Sequence, residues 1–553
     1  MSDFPKDDEL YFLPLGGVGE IGMNLSLYGH RGQWLMVDLG VSFGDDSMPM
    51  IDVVMPDPAW IEARRDRLAG LVLTHGHEDH LGAIPYLWPR LRCPVYATPF
   101  AAAVLRAKLH EVGLQDVVPL TVVPPGGRFK VGGFDVEMIP VTHSIPEAQS
   151  LAIRTPAGTV VHTGDWKFDP EPLVGLPTDF EALRRVGREG VLALVGDSTN
   201  IFTPGHSGSE AEVRSSLIEL FSRYRGRIAV SCFATNVARL ESIAVAAAAN
   251  DRHVALVGRS LWRIERAARE TGHLRDIAPF VTEHDAGYLP NDKVLYLCTG
   301  SQGEPRAALS RIASGDHPHV VLGKGDVVIF SSRVIPGNEK AIFHLQNDLI
   351  RLGVEVVTDR DAFVHVSGHP GREEMTEMYR LLRPRIAVPV HGEARHQQQH
   401  ARLAREMGAE QTFELTDGAL LRLAPGPAEV TDHVETSRLC LDGPRLVPIE
   451  SEILRNRRRM VFNGSAVVTV VLGGDGSLLG QPQLTALGLL DAGHAAEEPE
   501  AVVAAVVAAI DAIPPRVRRD DGTVREAARL AVRRSLRDSH GKKPITEVHL
   551  VRV

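Results

Sequence analysis

The segment Thr74-His75-Gly76-His77-Glu78-Asp79-His80 directly follows a short apolar stretch, Leu71 to Thr74, that is typical of a buried strand. The pattern HxHxDH places four metal-ligating side chains on one loop. His75 and His77 can reach one ion, while Asp79 and His80 reach another. Histidine and carboxylate ligands suit zinc, and such a site with an open position suits hydrolysis more than a structural role. The loop therefore predicts a hydrolytic site for two metal ions; the alternative is a polar surface loop.

One loop cannot complete two metal sites, so further ligands are expected downstream. Three candidates each follow an apolar strand: His143 after residues 135–140, Asp165 after 159–162 and His391 after 386–390. Loops at strand ends commonly carry chemistry on a rigid sheet. Each candidate alone would more often be an ordinary structural or turn residue. Together with the loop of residues 74–80 they are predicted to complete the two sites.

The spacing of these ligands predicts an inserted domain. About 226 positions separate Asp165 from His391, far more than an ordinary loop contains. From about Thr203 the sequence alternates apolar strands with helices, which indicates a second α/β unit on a parallel sheet. With 553 residues the chain exceeds a single core. We predict an α/β protein with a metal-binding domain at 1–202 and 357–424, an inserted domain at 203–356, a linker at 425–460 and a small α/β domain at 461–553.

Composition limits the other possibilities. The net charge of −10 discourages nucleic-acid binding, but local basic patches decide such binding, and Arg455 to Arg459 or Arg516 to Arg519 either attract RNA or simply face solvent. The four cysteines form no CxxC pair, which favours buried thiols in a reducing cytoplasm. No apolar run approaches the roughly 20 residues that span a bilayer, and the first ten residues lack a secretory pattern. A cytoplasmic protein without a membrane partner is expected.

The glycines at 17, 19 and 22 match GxGxxG, a dinucleotide-binding pattern. That pattern requires a helix directly afterwards, whereas Met23 to Tyr28 has the composition of a strand. The glycines are therefore predicted to form a tight turn beside the metal site.

The HxHxDH loop, together with Asp38, His143, Asp165 and His391, resembles the metallo-β-lactamase superfamily. The resemblance implies an αββα sandwich in which His75, His77 and His143 hold one Zn²⁺, with Mn²⁺ or Mg²⁺ as alternatives. Asp79, His80 and His391 would hold the second ion, and Asp165 would bridge both. Asp38 would orient a ligand histidine; its alternative is a turn residue at a strand end.

Three further segments resemble the β-CASP nucleases, a branch of that superfamily: Gly196-Asp197-Ser198-Thr199-Asn200, His365-Val366-Ser367-Gly368-His369 and Pro389-Val390-His391-Gly392-Glu393. Other segments are similar to the ribonuclease J family: Phe233-Ala234-Thr235-Asn236, residues 299–305 (TGSQGEP), residues 331–339 (SSRVIPGNE) and residues 541–544 (GKKP). The likeness extends from about residue 8 to the end. Residues 205–210 (GHSGSE) depart from it, because a threonine is expected before the Ser-Glu pair.

The resemblance implies a zinc-dependent ribonuclease, with 5′-to-3′ exonuclease and endonuclease activity, that acts in RNA processing and decay. Two metals would generate a hydroxide that attacks phosphorus, expels the 3′ oxygen and leaves a 5′ phosphate. Asp79, Asp197, His365 and His369 are the predicted catalytic residues. The predicted RNA contacts are Phe233, Ala234, Thr235, Asn236, Ser331, Ser332, Arg333 and the five residues His365, Val366, Ser367, Gly368 and His369. Ser331 to Arg333 could cradle a phosphate, which by resemblance is a 5′-terminal monophosphate.

Several points stay open at this level. A homo-oligomer, a dimer or a tetramer, is expected through the C-terminal domain, although a core-packing role for that domain fits equally. Asp45, Asp46 and Asp442 leave a structural Ca²⁺ undecided. The alternative functions are a DNA-directed β-CASP nuclease and a catalytically silent RNA-binding subunit, and the large insertion disfavours a small-molecule hydrolase.

Overall fold

The structure is a computed structural model that describes every residue except 1–4, 7, 45–47, 49 and 491–496, and it leaves out the side chains of 497 and 498. The chain divides into two compact units. The first consists of Met1–Ser42 and Met55–Thr436, and the second of Phe43–Val54 and Ser437–Val553. Within the described residues, none of the helices has both the length and the apolar character needed to cross a bilayer.

Two sheets form the centre of the first unit. In spatial order, the first contains Glu429–His433, Ala419–Ala424, Leu10–Gly16, Leu25–His30, Gln33–Val37, Leu68–Val72, Val95–Ala97 and Leu120–Val122. The second contains Arg128–Val131, Phe134–Pro140, Gln149–Thr155, Gly158–His162, Ala193–Asp197, Ile386–Val390 and Gln411–Thr412. Buried side chains of both sheets, among them Phe12, Val37, Val136 and Val195, form one core cluster. The two sheets therefore pack face to face.

Helices cover the outer faces of both sheets. Phe180–Glu189, Arg372–Leu382 and Ala394–Glu406 share a second core cluster with the outer side chains of the second sheet. The first sheet is accompanied by the helices Ile84–Leu91 and Pro99–Glu111. The predicted αββα sandwich is thus confirmed.

The inserted unit interrupts the second sheet between two neighbouring strands. Ala193–Asp197 pairs in parallel with Ile386–Val390, although almost 190 positions lie between them. Ala193–Asp197 is fully buried, and its residues 193–196 are apolar, as expected for a central parallel strand. The intervening chain forms a six-stranded parallel sheet in the order Val281–Thr282, His253–Val257, Val294–Cys298, Ile228–Ser231, Val327–Phe330 and Glu355–Val357. Its helices are Glu210–Ser222, Val237–Ala249, Arg259–Glu270, Glu283–Ala286, Ala308–Ala313 and Glu339–Arg351. The insertion and its parallel sheet are as predicted.

The second unit ends in a small α/β sheet. Ser465–Leu472 is its central strand, between Gln483–Thr485 and Ile545–Arg552. Burial alternates strictly along Ser465–Leu472, and the buried side packs on the helices Glu497–Asp511 and Asp521–His540. The shorter elements of the chain are Val18–Gly19, Ser42–Phe43, Val53–Pro56, Ala59–Glu62, Arg65–Arg67, Glu78–Leu81, Asn291–Lys293, Gly392–Glu393 and Val517–Arg519.

The predicted linker at 425–460 is wrong in character. This stretch contains the strands Glu429–His433, Arg438–Asp442 and Arg445–Pro448 and most of the helix Glu452–Asn463. Its prolines and polar residues lie at turns and on exposed strand faces. Their composition is that of a linker, although the stretch is folded. The remaining domain boundaries stay a prediction.

Candidate metal centre

Ends of several strands bring the candidate ligands to one edge of the sandwich. The loop of residues 74–80 follows the strand Leu68–Val72, and His77 lies at the start of the short helix Glu78–Leu81. His143, Asp165 and His391 follow strands of the second sheet. Because the strands converge there, side chains that are far apart in sequence form a compact group.

The first cluster consists of His75, His77, His143 and Asp165. The Nδ1 atom of His77 lies 3.1 Å from the Nε2 atoms of both His75 and His143. The Oδ2 atom of Asp165 lies 3.9 Å from His75 Nε2 and 3.8 Å from His143 Nε2. Four tetrahedral ligands at zinc distances are about 3.3 Å apart. These spacings fit one metal ion without rearrangement of the side chains.

The second cluster consists of Asp79, His80, His391 and the same Asp165. His80 Nε2 lies 3.2 Å from Asp165 Oδ2 and 3.5 Å from Asp79 Oδ2. His391 Nε2 lies 3.6 Å and 3.8 Å from the same two oxygens. These distances between ligand atoms also fit one metal ion. One oxygen of Asp165 therefore takes part in both clusters.

Asp38 orients the histidines of the loop. Its carboxylate accepts hydrogen bonds from Thr74 N, Thr74 Oγ1 and His80 Nδ1, at 2.8, 2.8 and 2.7 Å. The Thr74 hydroxyl in turn lies 2.9 Å from His75 Nδ1. A proton on Nδ1 of each ring satisfies this network and leaves both Nε2 atoms as ligands. Gly40 permits the close approach of the loop, because a Cβ there would lie 1.6 Å from the Asp79 carbonyl oxygen.

Two orienting groups were not predicted from the sequence. The Asn24 amide oxygen accepts from His391 Nδ1 at 3.1 Å, and its nitrogen donates to the Asp79 carbonyl at 3.0 Å. The Gly368 carbonyl accepts from His143 Nδ1 at 2.5 Å. Both bonds leave Nε2 facing the cluster. An asparagine after a glycine turn and a main-chain carbonyl carry no sequence pattern that would have identified them.

The GxGxxG segment forms the predicted turn. It is followed by the strand Leu25–His30 and not by a helix, and the Gly17 carbonyl accepts a hydrogen bond from His391 N at 2.8 Å. Gly17, Gly19 and Gly22 all have positive φ angles. The segment therefore supports the last candidate ligand, as expected, and has no nucleotide-binding geometry.

Charge in the centre is dominated by carboxylates. Burial lowers the pKa of His75, His77 and His143, so these rings are neutral, which is the form that binds a metal. Asp165 stays ionised despite burial, because His391 and His80 hold its pKa well below the usual range. Burial opposes a charge on the His80 ring, but Asp165, Asp79 and Asp38 outweigh it and raise the pKa of His80 well above its usual range. A metal ion bound at His80 Nε2 would replace that proton beside the carboxylates.

His369 and Asp197 form a third group with Asp165. His369 Nδ1 lies 2.7 Å from Asp197 Oδ2 and 3.9 Å from Asp165 Oδ2. Burial opposes the charged ring, but Asp197 and Asp165 outweigh it and raise the pKa of His369 to about 9. The structure thus brings His369 and Asp197 to the metal ligands, as predicted.

His365 lies in different surroundings. Its pKa is lowered to about 3, first by burial and then by the nearby cations Arg239, Arg333 and Lys167. Its Nδ1 atom is buried and has no hydrogen-bond partner among the described residues. It is not a member of any of the three ligand clusters found in the described chain. The two histidines of the 365–369 segment are therefore not equivalent.

The 365–369 segment is fixed by hydrogen bonds to buried residues of the protein. Ser367 Oγ accepts hydrogen bonds from Asn200 Nδ2 at 2.7 Å and from His369 N at 3.1 Å, and Val366 is buried. Ser331 Oγ donates to the Val364 carbonyl at 2.7 Å and accepts from Arg239 Nη1 at 2.7 Å. Arg239 is itself buried and paired with Glu210.

These contacts correct one prediction and leave others open. The hydroxyl of Ser331, predicted to contact a phosphate, instead donates a hydrogen bond to the Val364 carbonyl and accepts one from Arg239. In the 233–236 segment, Asn236 caps the helix Val237–Ala249, while the ring of Phe233 is exposed. Arg333 is exposed and forms no ion pair with any described carboxylate.

Of the residues considered for calcium, Asp45 and Asp46 lie outside the described residues. Asp442 is bound by two guanidinium groups, with Arg457 at 2.8 Å and Arg445 at 3.1 Å. Its carboxylate already has cationic partners.

The sequence as a whole is similar to that of known ribonucleases. A protein of Sinorhizobium meliloti named ribonuclease J is 46% identical over 559 aligned residues, which cover 100% of this chain and 99% of the relative. The chain belongs to the ribonuclease J family. Other ribonuclease J proteins are 38% identical in Thermus thermophilus (85% of this chain, 83% of the relative) and 39% identical in Mycobacterium tuberculosis (89% and 88%).

Four family descriptions match successive parts of the chain. They are the metallo-beta-lactamase superfamily at 19–225, the ribonuclease J beta-CASP domain at 225–349, a Zn-dependent metallo-hydrolase RNA specificity domain at 353–413 and the ribonuclease J C-terminal domain at 452–553. As a member of the ribonuclease J family, the chain is a metal-dependent nuclease of RNA processing with RNA as its substrate. The resemblance inferred from the motifs is confirmed.

Proposed function

We propose that the chain is a zinc-dependent ribonuclease that degrades RNA in the 5′-to-3′ direction and also cuts internally. The observation that carries the proposal is the pair of four-ligand clusters that share Asp165. His75, His77, His143 and Asp165 would hold one divalent ion and Asp79, His80, Asp165 and His391 the other; such a pair would supply an activated water and Lewis-acid stabilisation for phosphodiester hydrolysis with 5′-phosphate products. The five histidines of the two clusters favour Zn²⁺ over Mg²⁺, which prefers oxygen ligands. Mn²⁺ is the nearer alternative.

His369 is the proposed donor of the proton that the leaving 3′ oxygen needs. Asp197 accepts the Nδ1 proton of His369, so the ring is fixed and its Nε2 is free to face a substrate. Asp197 is buried at the end of the strand Ala193–Asp197, which makes it a rigid support. Asp79 serves as a metal ligand in this scheme.

His365 is proposed to contact RNA. Its low pKa excludes proton donation near neutral pH, and its buried Nδ1 lacks a partner that a bound ligand would provide. The cations around it favour a phosphate. Arg333, which is exposed and without a carboxylate partner among the described residues, supplies the most available positive charge.

A 5′-phosphate pocket is proposed at the adjoining edge of the inserted sheet. The segment 233–236 follows the strand Ile228–Ser231, and the segment 331–333 follows the parallel neighbour Val327–Phe330. Both segments therefore leave the sheet at the same edge. Arg333 and the exposed Phe233 ring are available there, whereas Ser332 is buried and Ser331 holds the 365–369 segment in position.

The proposal is tested with the zinc-loaded protein and one body-labelled RNA that carries a 5′ monophosphate, triphosphate or hydroxyl. We expect release of mononucleotides, fastest from the monophosphate, and no cleavage by His77→Ala. Internal cuts that are indifferent to the end group would keep the metal mechanism and remove the 5′ pocket. Cleavage of single-stranded DNA but not RNA would overturn the ribonuclease proposal.

Arg333→Ala tests the pocket alone. The variant should lose the preference for a 5′ monophosphate while it keeps its zinc content and its internal cleavage. Arg351→Ala is the matched control, because Arg351 is also exposed and lies on a helix of the inserted domain. An unchanged end preference in Arg333→Ala would assign the phosphate contact to other residues.

Other properties stay predictions. A dimer or tetramer is tested by light scattering of the eluting protein. The cytoplasmic location is supported by the four cysteines, which are all buried and unpaired as in a reducing compartment.

A further inference from the structure

Phe202 is an exposed aromatic ring beside the metal centre. Its side chain is 54% exposed. The preceding residues are fixed to the ligand segments: Thr199 Oγ1 donates to the His391 carbonyl at 3.1 Å, and Asn200 Nδ2 donates to the His369 carbonyl at 3.1 Å. The ring is therefore attached to the centre by a short, anchored piece of chain.

The distance to the centre is bounded by the chain. Phe202 is three residues beyond Thr199, so their Cα atoms are at most about 11 Å apart. Stacked nucleotides are about 3.4 Å apart along a strand, so this reach corresponds to roughly three nucleotides. A single-stranded RNA whose phosphate lies at the clusters would therefore need to extend only a few nucleotides toward Thr199 to come within reach of Phe202.

The surroundings of the ring hold it in place and add a guanidinium group that is paired with a carboxylate. His396 packs against it edge-on, with 5.3 Å between ring centroids. Arg395 lies over the ring at 5.8 Å from its centroid, and its Nε is fixed by Glu393 at 3.1 Å.

A second observation points to a ligand at the same place. His396 is only 6% exposed, and its Nδ1 atom has no hydrogen-bond partner among the described residues, although Glu393 Oε2 lies 3.9 Å away. A buried polar atom without a partner is costly, and an ordered water, an ion or a bound molecule can supply the missing bond. Isolated exposed apolar residues are ordinary on protein surfaces. Phe202 differs from such residues, because a guanidinium group and a histidine whose Nδ1 lacks a hydrogen bond within the described chain lie beside its ring and its chain segment is bonded to the ligand segments.

We propose that Phe202 and Arg395 form a stacking platform for one base of single-stranded RNA beside the His391 side of the metal centre. Every base offers an aromatic face, so the platform binds without sequence preference. The guanidinium plane of Arg395 adds a second stacking surface and a phosphate contact. The inference rests on the proposed ribonuclease function, because it takes the RNA bound at the clusters as its ligand.

The test compares Phe202→Leu with Phe202→Tyr in the zinc-loaded protein. Leucine keeps apolar bulk over His396 but removes the aromatic face, whereas tyrosine keeps that face. We expect Phe202→Leu to raise KM for a ten-nucleotide RNA at least about fivefold, with kcat unchanged, and Phe202→Tyr to stay within about twofold of the wild type. Phe343→Leu is the matched control, because Phe343 is an exposed phenylalanine on the helix Glu339–Arg351 of the inserted domain.

A direct measurement separates stacking from other effects. RNAs with 2-aminopurine at one position each are mixed with the protein in a stopped-flow instrument, and quenching is recorded before cleavage. One position should be quenched by the wild type and by Phe202→Tyr but not by Phe202→Leu. Equal KM and equal quenching in all three proteins would overturn the platform. Absence of RNA cleavage by the wild type would count against the proposed function, while the quenching would still decide the platform.

Discussion

Substitution of Asp38 by asparagine tests how the metal centre is built. In the native chain the Asp38 carboxylate accepts three hydrogen bonds, including one from His80 Nδ1 at 2.7 Å. If the asparagine oxygen keeps the bond from Thr74 N, its NH₂ group faces His80 Nδ1. A donor at that place favours the tautomer with the proton on Nε2, and a protonated Nε2 cannot bind a metal.

The expected loss follows from this tautomer change. Removal of a group that orients a metal ligand commonly lowers metal affinity 10- to 100-fold, or about 1.4–2.8 kcal/mol. The site of Asp79, His80 and His391 should lose most of this affinity. The other site should lose less, because only the Thr74 hydroxyl connects Asp38 to His75.

Titration of the metal-free protein with Zn²⁺ against a chromophoric chelator measures both affinities. Asp135→Asn is the matched control, since it makes the same chemical change at an ion pair with Arg128, near the start of the strand Phe134–Pro140 of the second sheet and at the opposite end of that strand from the metal ligands. Two zinc affinities within twofold of the wild type in Asp38→Asn would refute the orienting role of Asp38.

Three further outcomes are expected. Asn24→Ala removes the acceptor of His391 Nδ1 and should weaken one zinc-binding step about tenfold, in the same titration; unchanged binding would contradict this role. Glu210→Gln leaves the buried Arg239 guanidinium without a charged partner and should lower the free energy of unfolding by about 3–5 kcal/mol in urea denaturation, whereas a loss below about 1 kcal/mol would contradict the prediction. All four thiols should resist Ellman's reagent at pH 8 in the folded protein and react in guanidinium chloride, because burial raises their pKa; fast reaction of the native protein would contradict their burial. These thiols are Cys93, Cys232, Cys298 and Cys440.

The sequence predicts the parts of the centre that are encoded locally. The loop of residues 74–80 has its own pattern, and His143, Asp165 and His391 each follow a recognisable strand. The insertion follows from spacing alone. Each of these features can be seen directly in a single sequence, as a local motif, as the residue after an apolar strand or as the spacing between two motifs.

Features that depend on tertiary approach could not be predicted. Asn24 and His391 are 367 positions apart, and only the folded sandwich brings them together. The hydroxyl of Ser331 turns inward because a buried arginine, Arg239, needs acceptors. The stretch 425–460 was predicted as a linker from its prolines and polar residues. Its strands, such as Arg438–Asp442, are short and show no regular alternation of buried and exposed side chains that the sequence could have displayed.

The position of His391 also has a consequence for the order of events during synthesis. The ribosome completes the ligands His75, His77, His143 and Asp165 first, and about 226 residues must follow before His391 exists. At roughly 5–20 residues per second this delay lasts roughly 10–45 s. In that interval the nascent chain carries one complete cluster and one that lacks a histidine. The active site is therefore completed only after the inserted domain has been synthesised. Until then, the growing chain has no finished nuclease site beside the messenger RNA that encodes it.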